Sequence, residues 1–249
     1  MNSDAFIDIA FNSANVVAFT TTIHHPEGIA KSGDFGAFNL GLHVGDDANI
    51  VNHNRATLLS KLPAQSQIQW LNQVHGIELA QISTPSTNPI TADGQLTSTK
   101  GAALAIMTAD CLPVLLAAKS GDEIAALHCG WRPLAAGLIE KTIEQMKTSA
   151  SDIQAWLGPC ISKQHFEVGQ DVLDAFKQQD LNYSSFFQPK SKAGKYLADL
   201  QGIARYKLQQ LGVKDVTQLA RCTYTEEDTF YSYRRQPNTG RMASVICLK

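Results

Sequence analysis

Thr108–Leu134 reads TADCLPVLLAAKSGDEIAALHCGWRPL. Two apolar runs, Leu112–Ala118 and Ile124–His128, are split by a short polar segment, and a third run, Ala102–Met107, comes just before. Continuous apolar runs of this length, bounded by turn residues, are expected of strands buried on both faces. Gly130 and Pro133 then punctuate the chain. Pro133 suits the first turn of a helix, where its missing N–H costs nothing. Apolar residues at 135, 138, 139, 143 and 146 continue as a stripe of 3.6-residue period. The stretch therefore predicts an α/β fold: a single domain with a mixed β-sheet flanked by helices.

The same stretch carries candidate chemistry. Alternate side chains of a strand share a face, so Ala126 and His128 point one way and Leu127 and Cys129 the other. If His128 faces a site, Cys129 faces the core. Cys111, beside Asp110, sits where one apolar run ends and the next begins. His75, in WLNQVHG, closes an upstream strand and is followed by Gly76. One Cys and two His brought together would hold a metal with a position left open. Spacing alone is a weak signal, because no C-x-x-C or H-x-x-x-H pair is present. A lone buried His is commonly a hydrogen-bonded core residue, and a lone buried Cys a small hydrophobe.

Outward from this centre, residues 15–23 predict an early strand. A Gly-rich loop follows to Asp47, and its length together with Phe35, Phe38, Leu40 and Leu42 suggests a packed, functional loop. Helices are expected over 49–62, over 168–178 and from Leu200 to a stop at Gly212. Further strands are expected at 68–71, 77–82, 153–157, 216–220 and 243–248. No repeat or domain linker is visible, so 1–249 reads as one domain.

The 249 residues hold 21 Lys and Arg against 23 Asp and Glu. That balance excludes the basic excess of a nucleic-acid binder. The N-terminus has an acid where a signal peptide carries basic residues. The longest apolar stretch, 102–118, is interrupted by Asp110 and Pro113, so no membrane partner is expected. Five Cys at irregular spacing read as reduced thiols, consistent with a cytoplasmic protein. Nothing in the sequence sets the oligomeric state.

NQVHG, ADCLPVLL, HCGWR, WLGPCI, FEVG, and SYRR followed by TGRMAS occur in this order. The pattern closely resembles the YfiH/YlmD family, also called the laccase-domain or polyphenol-oxidase family, over nearly the whole chain. The resemblance implies zinc held by His75, Cys111 and His128. It implies a fold similar to the catalytic domain of the cytotoxic necrotizing factor toxins. It also implies phosphorolysis of adenosine, inosine and methylthioadenosine, with deamination of adenosine. Cys129 and Pro133 depart from the commoner pattern and leave the turn before the helix less defined.

Two imidazoles and a thiolate suit Zn²⁺. Copper is the rival, through a His₂Cys set with a distant Met such as Met107 or Met242. A multicopper oxidase needs more His ligands than the seven His here supply, without one His-x-His. The catalytic candidates are Asp110, Cys111 and His128, with Asp110 either an acid/base or a turn cap. Purine nucleosides and phosphate are the expected partners. Arg132 at the helix start, and Arg234, Arg235 and Arg241 around the Pro237–Gly240 turn, are candidates for the anion. Asn39, His43 and Arg55 are candidates to line the pocket, and His24, His25, His53 and His165 are read as ordinary surface or core residues. The alternatives are an amide hydrolase editing peptidoglycan precursors, with Cys111 as nucleophile, a purely structural zinc site, and a copper polyphenol oxidase.

Overall fold

All three apolar runs are strands, and every residue in Ala102–Thr108, Leu112–Ala118 and Ile124–Cys129 is buried. They do not share a single sheet, which corrects the one-sheet expectation. In the computed structural model, which describes residues 3–30 and 33–249, the first of them belongs to one sheet and the other two to a second. The join is Ala109–Cys111, with Asp110 at φ 105°. A three-residue join serves a hairpin as readily as a crossing between sheets, so local pattern could not choose.

The first sheet runs in the order Phe6–Ile9, Val16–Thr21, Met242–Leu248, Ala102–Thr108, Gln67–Gln69. The second runs Asp215–Gln218, Ile153–Leu157, Leu112–Ala118, Ile124–Cys129, Gly94–Thr97, Leu79–Gln81. Both are mixed: inner pairs are antiparallel, and parallel pairs lie at the edges. The sheets share a buried layer in which Leu104, Ile106 and Ile246 meet Leu115, Ala126 and Trp156. Behind the first sheet, Phe19, Ala105 and Val245 are covered by Phe38, Leu40 and Leu58. Leu58 belongs to the helix Ala48–Leu59, capped by the Asp47 carboxylate on the Asn49 N–H. Behind the second, Leu116, Leu127 and Cys129 pack on Leu138, Ile139, Ile203 and Leu208 of the helices Leu138–Gln145 and Leu200–Gln210. Each such leucine contributes roughly 1.5–3 kcal/mol on burial. The layers are therefore helix, sheet, sheet, helix.

Several expectations shift at the edges. The helix after Gly130 is two pieces, Trp131–Ala136 and Leu138–Gln145, because Gly137 adopts φ 94° between them. The strands Phe6–Ile9 and Gly94–Thr97 were not expected. A Cβ at Gly94 would come within 3.0 Å of the side-chain ends of Leu79 and Leu127, which would have to shift to admit it. The Gly-rich loop packs around Phe38 and Leu40, but Phe35 is only half-buried and Leu42 is exposed, and Lys31 and Ser32 of it lie outside the described residues. Among the described residues, no helix is long and apolar enough to cross a membrane.

Candidate functional site

The crossing between sheets builds the site. Cys111 ends the crossing segment, and His128 lies near the end of its strand on the same face as Ala126, between the sheets. His75 comes from the loop after Leu71–Asn72 and adopts φ 60°. Cys111 Sγ lies 3.8 Å from His75 Nε2, and the two imidazole rings meet edge to face with centroids 4.7 Å apart. One donor atom from each of the three falls within 4.8 Å of the others. Cys129, on the opposite face, is buried among apolar side chains as the alternation requires.

Asp93 holds this arrangement, and nothing in the local sequence marked it. Its carboxylate is fully buried. Oδ1 is 2.7 Å from His128 Nδ1 and accepts from the His75 N–H at 3.0 Å. Oδ2 accepts from the Val74 and Gly76 N–H groups at 3.1 and 2.7 Å. One carboxylate thus orients one imidazole directly and fixes the left-handed turn that carries the other. Burial opposes its charge, yet the His128 and backbone hydrogen bonds outweigh burial and lower its pKa below the usual carboxylate value.

Burial likewise opposes a charged Cys111, but the His128 and His75 imidazoles beside it bring the thiol well below its ordinary range. Burial also opposes a charged His128, but the Cys111 sulfur and the Asp93 carboxylate raise it. Each group thus favours the charged form of the other, and metal binding competes with protons for the same donor atoms. Two imidazoles and a thiolate fit a divalent ion that takes nitrogen and sulfur ligands, leaving a position open. Gly130 makes the room: a Cβ there would stand 3.0 Å from Cys111 Sγ and 3.1 Å from His75 Cδ2. Gly130→Ala is expected to weaken metal affinity about 10-fold, comparable to disturbing an outer-shell contact. Titration against a chromophoric chelator reads this directly.

The three residues open onto a cleft of about 500 Å³. Asp110 lines it but is spoken for. Its Oδ1 accepts from the Thr223 hydroxyl at 2.6 Å and its Oδ2 from the Arg234 N–H at 2.7 Å. Its carbonyl accepts from the Ile161 N–H at 2.9 Å. These bonds hold a residue in a strained turn at the edge of the cleft.

Of the basic candidates, His43, Arg234 and Arg241 line the cleft. Partial burial, Arg241 and Arg55 all lower the pKa of His43. Arg132 does not reach the cleft; it is exposed with its guanidinium over Trp131 at 4.4 Å. Arg55 also lies outside, stacked on Trp70 at 3.9 Å and donating to the Leu40 carbonyl. Arg235 is spent on the carbonyls of Thr223, Tyr224 and Phe230. Buried Asn39 contributes indirectly: its Oδ1 accepts from the Gly41 and Arg241 N–H groups, tying the loop of His43 to the strand of Arg241. Gln73, Phe166 and Tyr233 also line the cleft and were not anticipated. They sit inside quoted motifs, but only their convergence gives them a role.

The remaining histidines do not line the cleft. His25 is buried, with its Nδ1 accepting from the Glu27 N–H, and His53 is 3.7 Å from the Glu27 carboxylate. These three form the other group of possible metal donors among the described residues, away from the cleft. His165 stacks on Tyr224.

Residues 18–249 match the family described as multi-copper polyphenol oxidoreductase laccase, a description that implies a metal cofactor. The chain is 42% identical to the purine nucleoside phosphorylase YfiH of Escherichia coli over 214 residues, covering 86% of this chain and 87% of that one. A Neisseria meningitidis protein of known structure superposes with a TM-score of 0.92 at 39% identity, covering 98% of this chain and 99% of that one. YlmD from Geobacillus stearothermophilus gives 0.87 at 29% identity, covering 100% and 98%. By sequence and by structure, the chain belongs to the laccase-domain family of YfiH and YlmD proteins.

Proposed function

We propose that the chain, acting as one domain over 1–249, is a zinc-dependent purine nucleoside phosphorylase. Its substrates are adenosine, inosine and methylthioadenosine, and it also deaminates adenosine. The observation that carries this is a His₂Cys donor set opening onto a cleft edged by His43, Arg234 and Arg241. The relatedness to a protein named purine nucleoside phosphorylase at 42% identity supports the substrate class. His75, Cys111 and His128 would hold zinc rather than copper, since the three donors need no redox partner and no further metal group adjoins the cleft among the described residues. When bound, zinc supplies Lewis acidity inside the cleft.

The rest falls to the chain's own residues. In phosphorolysis a phosphate oxygen bonds to ribose C1′, the C1′–N9 bond breaks, and the purine leaves with a proton. Arg241 and Arg234 attract and orient the phosphate, and His43 offers a hydrogen bond beside them. Asp110 positions the turn that presents Cys111. In deamination, water adds at purine C6 and ammonia departs. We extend the fold proposal to a relationship with the catalytic domain of the cytotoxic necrotizing factor toxins. Here His75 joins the Cys111–His128 pair, which favours a bound metal over a free thiolate nucleophile. The balanced charge and irregular cysteines support a cytoplasmic setting.

The test is incubation of the metal-loaded protein with adenosine, with and without phosphate, followed by separation of products. Adenine and ribose 1-phosphate, formed only with phosphate, are the expected result; inosine without phosphate marks the deaminase. Neither product from protein carrying one zinc per chain would overturn the reading. Arg241→Ala is expected to raise the KM for phosphate about 10- to 100-fold, the worth of one charge-assisted hydrogen bond, while the KM for nucleoside stays within a few-fold. Steady-state kinetics with each substrate varied in turn checks this.

A further inference from the structure

Behind the cleft wall lies a pair of cysteines with no part in the metal site. Cys160 ends the Gly158–Cys160 turn that follows the strand Ile153–Leu157, and Cys222 lies in the loop after Asp215–Gln218. An isolated parallel bridge pairs the two residues directly, and both thiols are free. Backbones paired in this way lie about 4.8 Å apart, inside the Cα separation that a disulfide spans.

The two thiols are unlike. Cys160 is buried and hydrogen-bonded to the Ile161 carbonyl. Cys222 is partly exposed, and its sulfur accepts from the Ser162 N–H at 3.4 Å. Burial raises the Cys222 thiol, but hydrogen bonds from Ser162 and Thr225 outweigh it and lower the thiol. A cavity of about 270 Å³ is lined by both cysteines together with Ser162, Lys163 and Arg221, and Cys222 is the partly exposed one of the pair. A reachable thiol with thiolate character beside a buried partner is the arrangement of a reactive and a resolving cysteine.

We propose that Cys222 and Cys160 form a peroxide-responsive dithiol that closes reversibly to a disulfide. The Cys222 thiolate attacks one oxygen of a hydroperoxide; the O–O bond breaks, leaving a sulfenic acid and releasing hydroxide or alkoxide. The Cys160 sulfur then attacks the Cys222 sulfur. The S–S bond forms, the S–O bond breaks, and the hydroxyl leaves as water with the Cys160 proton. Two thiols lose two electrons and the peroxide gains them.

The link would reach the turn that presents Cys111. Ile161, next to Cys160, donates to the Asp110 carbonyl at 2.9 Å. Thr223, next to Cys222, donates through its hydroxyl to the Asp110 carboxylate at 2.6 Å. Two of the three hydrogen bonds described at Asp110 thus come from the sequence neighbours of the residues being joined, and oxidation alters how firmly the turn is held.

The test treats metal-loaded protein with hydrogen peroxide near equimolar amounts, followed by non-reducing peptide mapping. The expected product is one cross-linked peptide pair containing Cys160 and Cys222, lighter by two hydrogens than the reduced pair and restored by dithiothreitol. In Cys160→Ser, dimedone labelling of Cys222 should rise several-fold, because the sulfenic acid has no resolving partner. The wild-type map decides even if that variant fails to fold. Cys222 found as sulfinic acid beside a free Cys160 thiol, Cys222 left unmodified, or Cys222 linked to any other cysteine would overturn the proposal. The map involves no nucleoside, so its outcome is independent of the phosphorylase assay.

Discussion

Cys111→Ser is expected to leave the purified protein with less than a tenth of the zinc carried by the parent and to remove its activity. Three donors converge on one point, and Cys111 is the only thiolate among them. Serine is shorter in its bond to the metal and is not ionised at neutral pH, so the site keeps two neutral imidazoles and loses the charge that offsets a divalent cation. With the metal's contribution of several kcal/mol gone, kcat/KM should fall on the order of 10³-fold or more. The substitution also removes the sulfur that raises His128, so the imidazole should titrate lower in the metal-free variant. Metal analysis after desalting and the nucleoside assay read the two effects together. A variant that retains one zinc per chain and full turnover would remove Cys111 from the ligand set.

Asp93→Ala is expected to destabilise the metal-free protein by about 3–5 kcal/mol, the cost of breaking a buried, charge-assisted pair by deleting one partner. Its four partners are the His128 ring and three consecutive amides, and all lose their acceptor together. Zinc affinity should drop a further 10- to 100-fold, as when outer-shell partners of ligand histidines are removed. Asp93→Asn keeps the shape and part of the hydrogen bonding, so it should recover stability more than affinity. The pH dependence follows from the sign of the shift. The native carboxylate has a pKa below its ordinary value, so its stabilisation is complete above the unfolded value of about 3.9 and is lost as pH falls through the lower native value. Urea unfolding of the metal-free proteins across that acid range should show a steeper decline for the parent than for Asp93→Asn.

The division between what was legible and what was not follows the range of the interactions. Ala102–Thr108, Leu112–Ala118 and Ile124–Cys129 were visible because burial on both faces leaves an unbroken apolar run. That His128 and Cys129 take opposite faces of their strand followed from alternation alone. His75, Cys111 and His128 could be named as donors because ordered motifs resembled a family, not because their spacing required it.

The second sheet could not be read, because a three-residue join does not reveal whether the chain turns back beside its neighbour or crosses to another layer. Asp93 was hidden for the same reason. Its partners lie 17 to 35 residues away, and a buried carboxylate is recognisable only once its donors surround it. Arg132, Arg55 and Arg241 look alike in sequence, yet one stacks on Trp131, one on Trp70, and one edges the cleft. Local pattern determined the strands, the two faces of each and the residue types available for chemistry. Which of them meet was decided by tertiary packing, because a side chain's role at a site depends on neighbours that the chain brings in from far along its length.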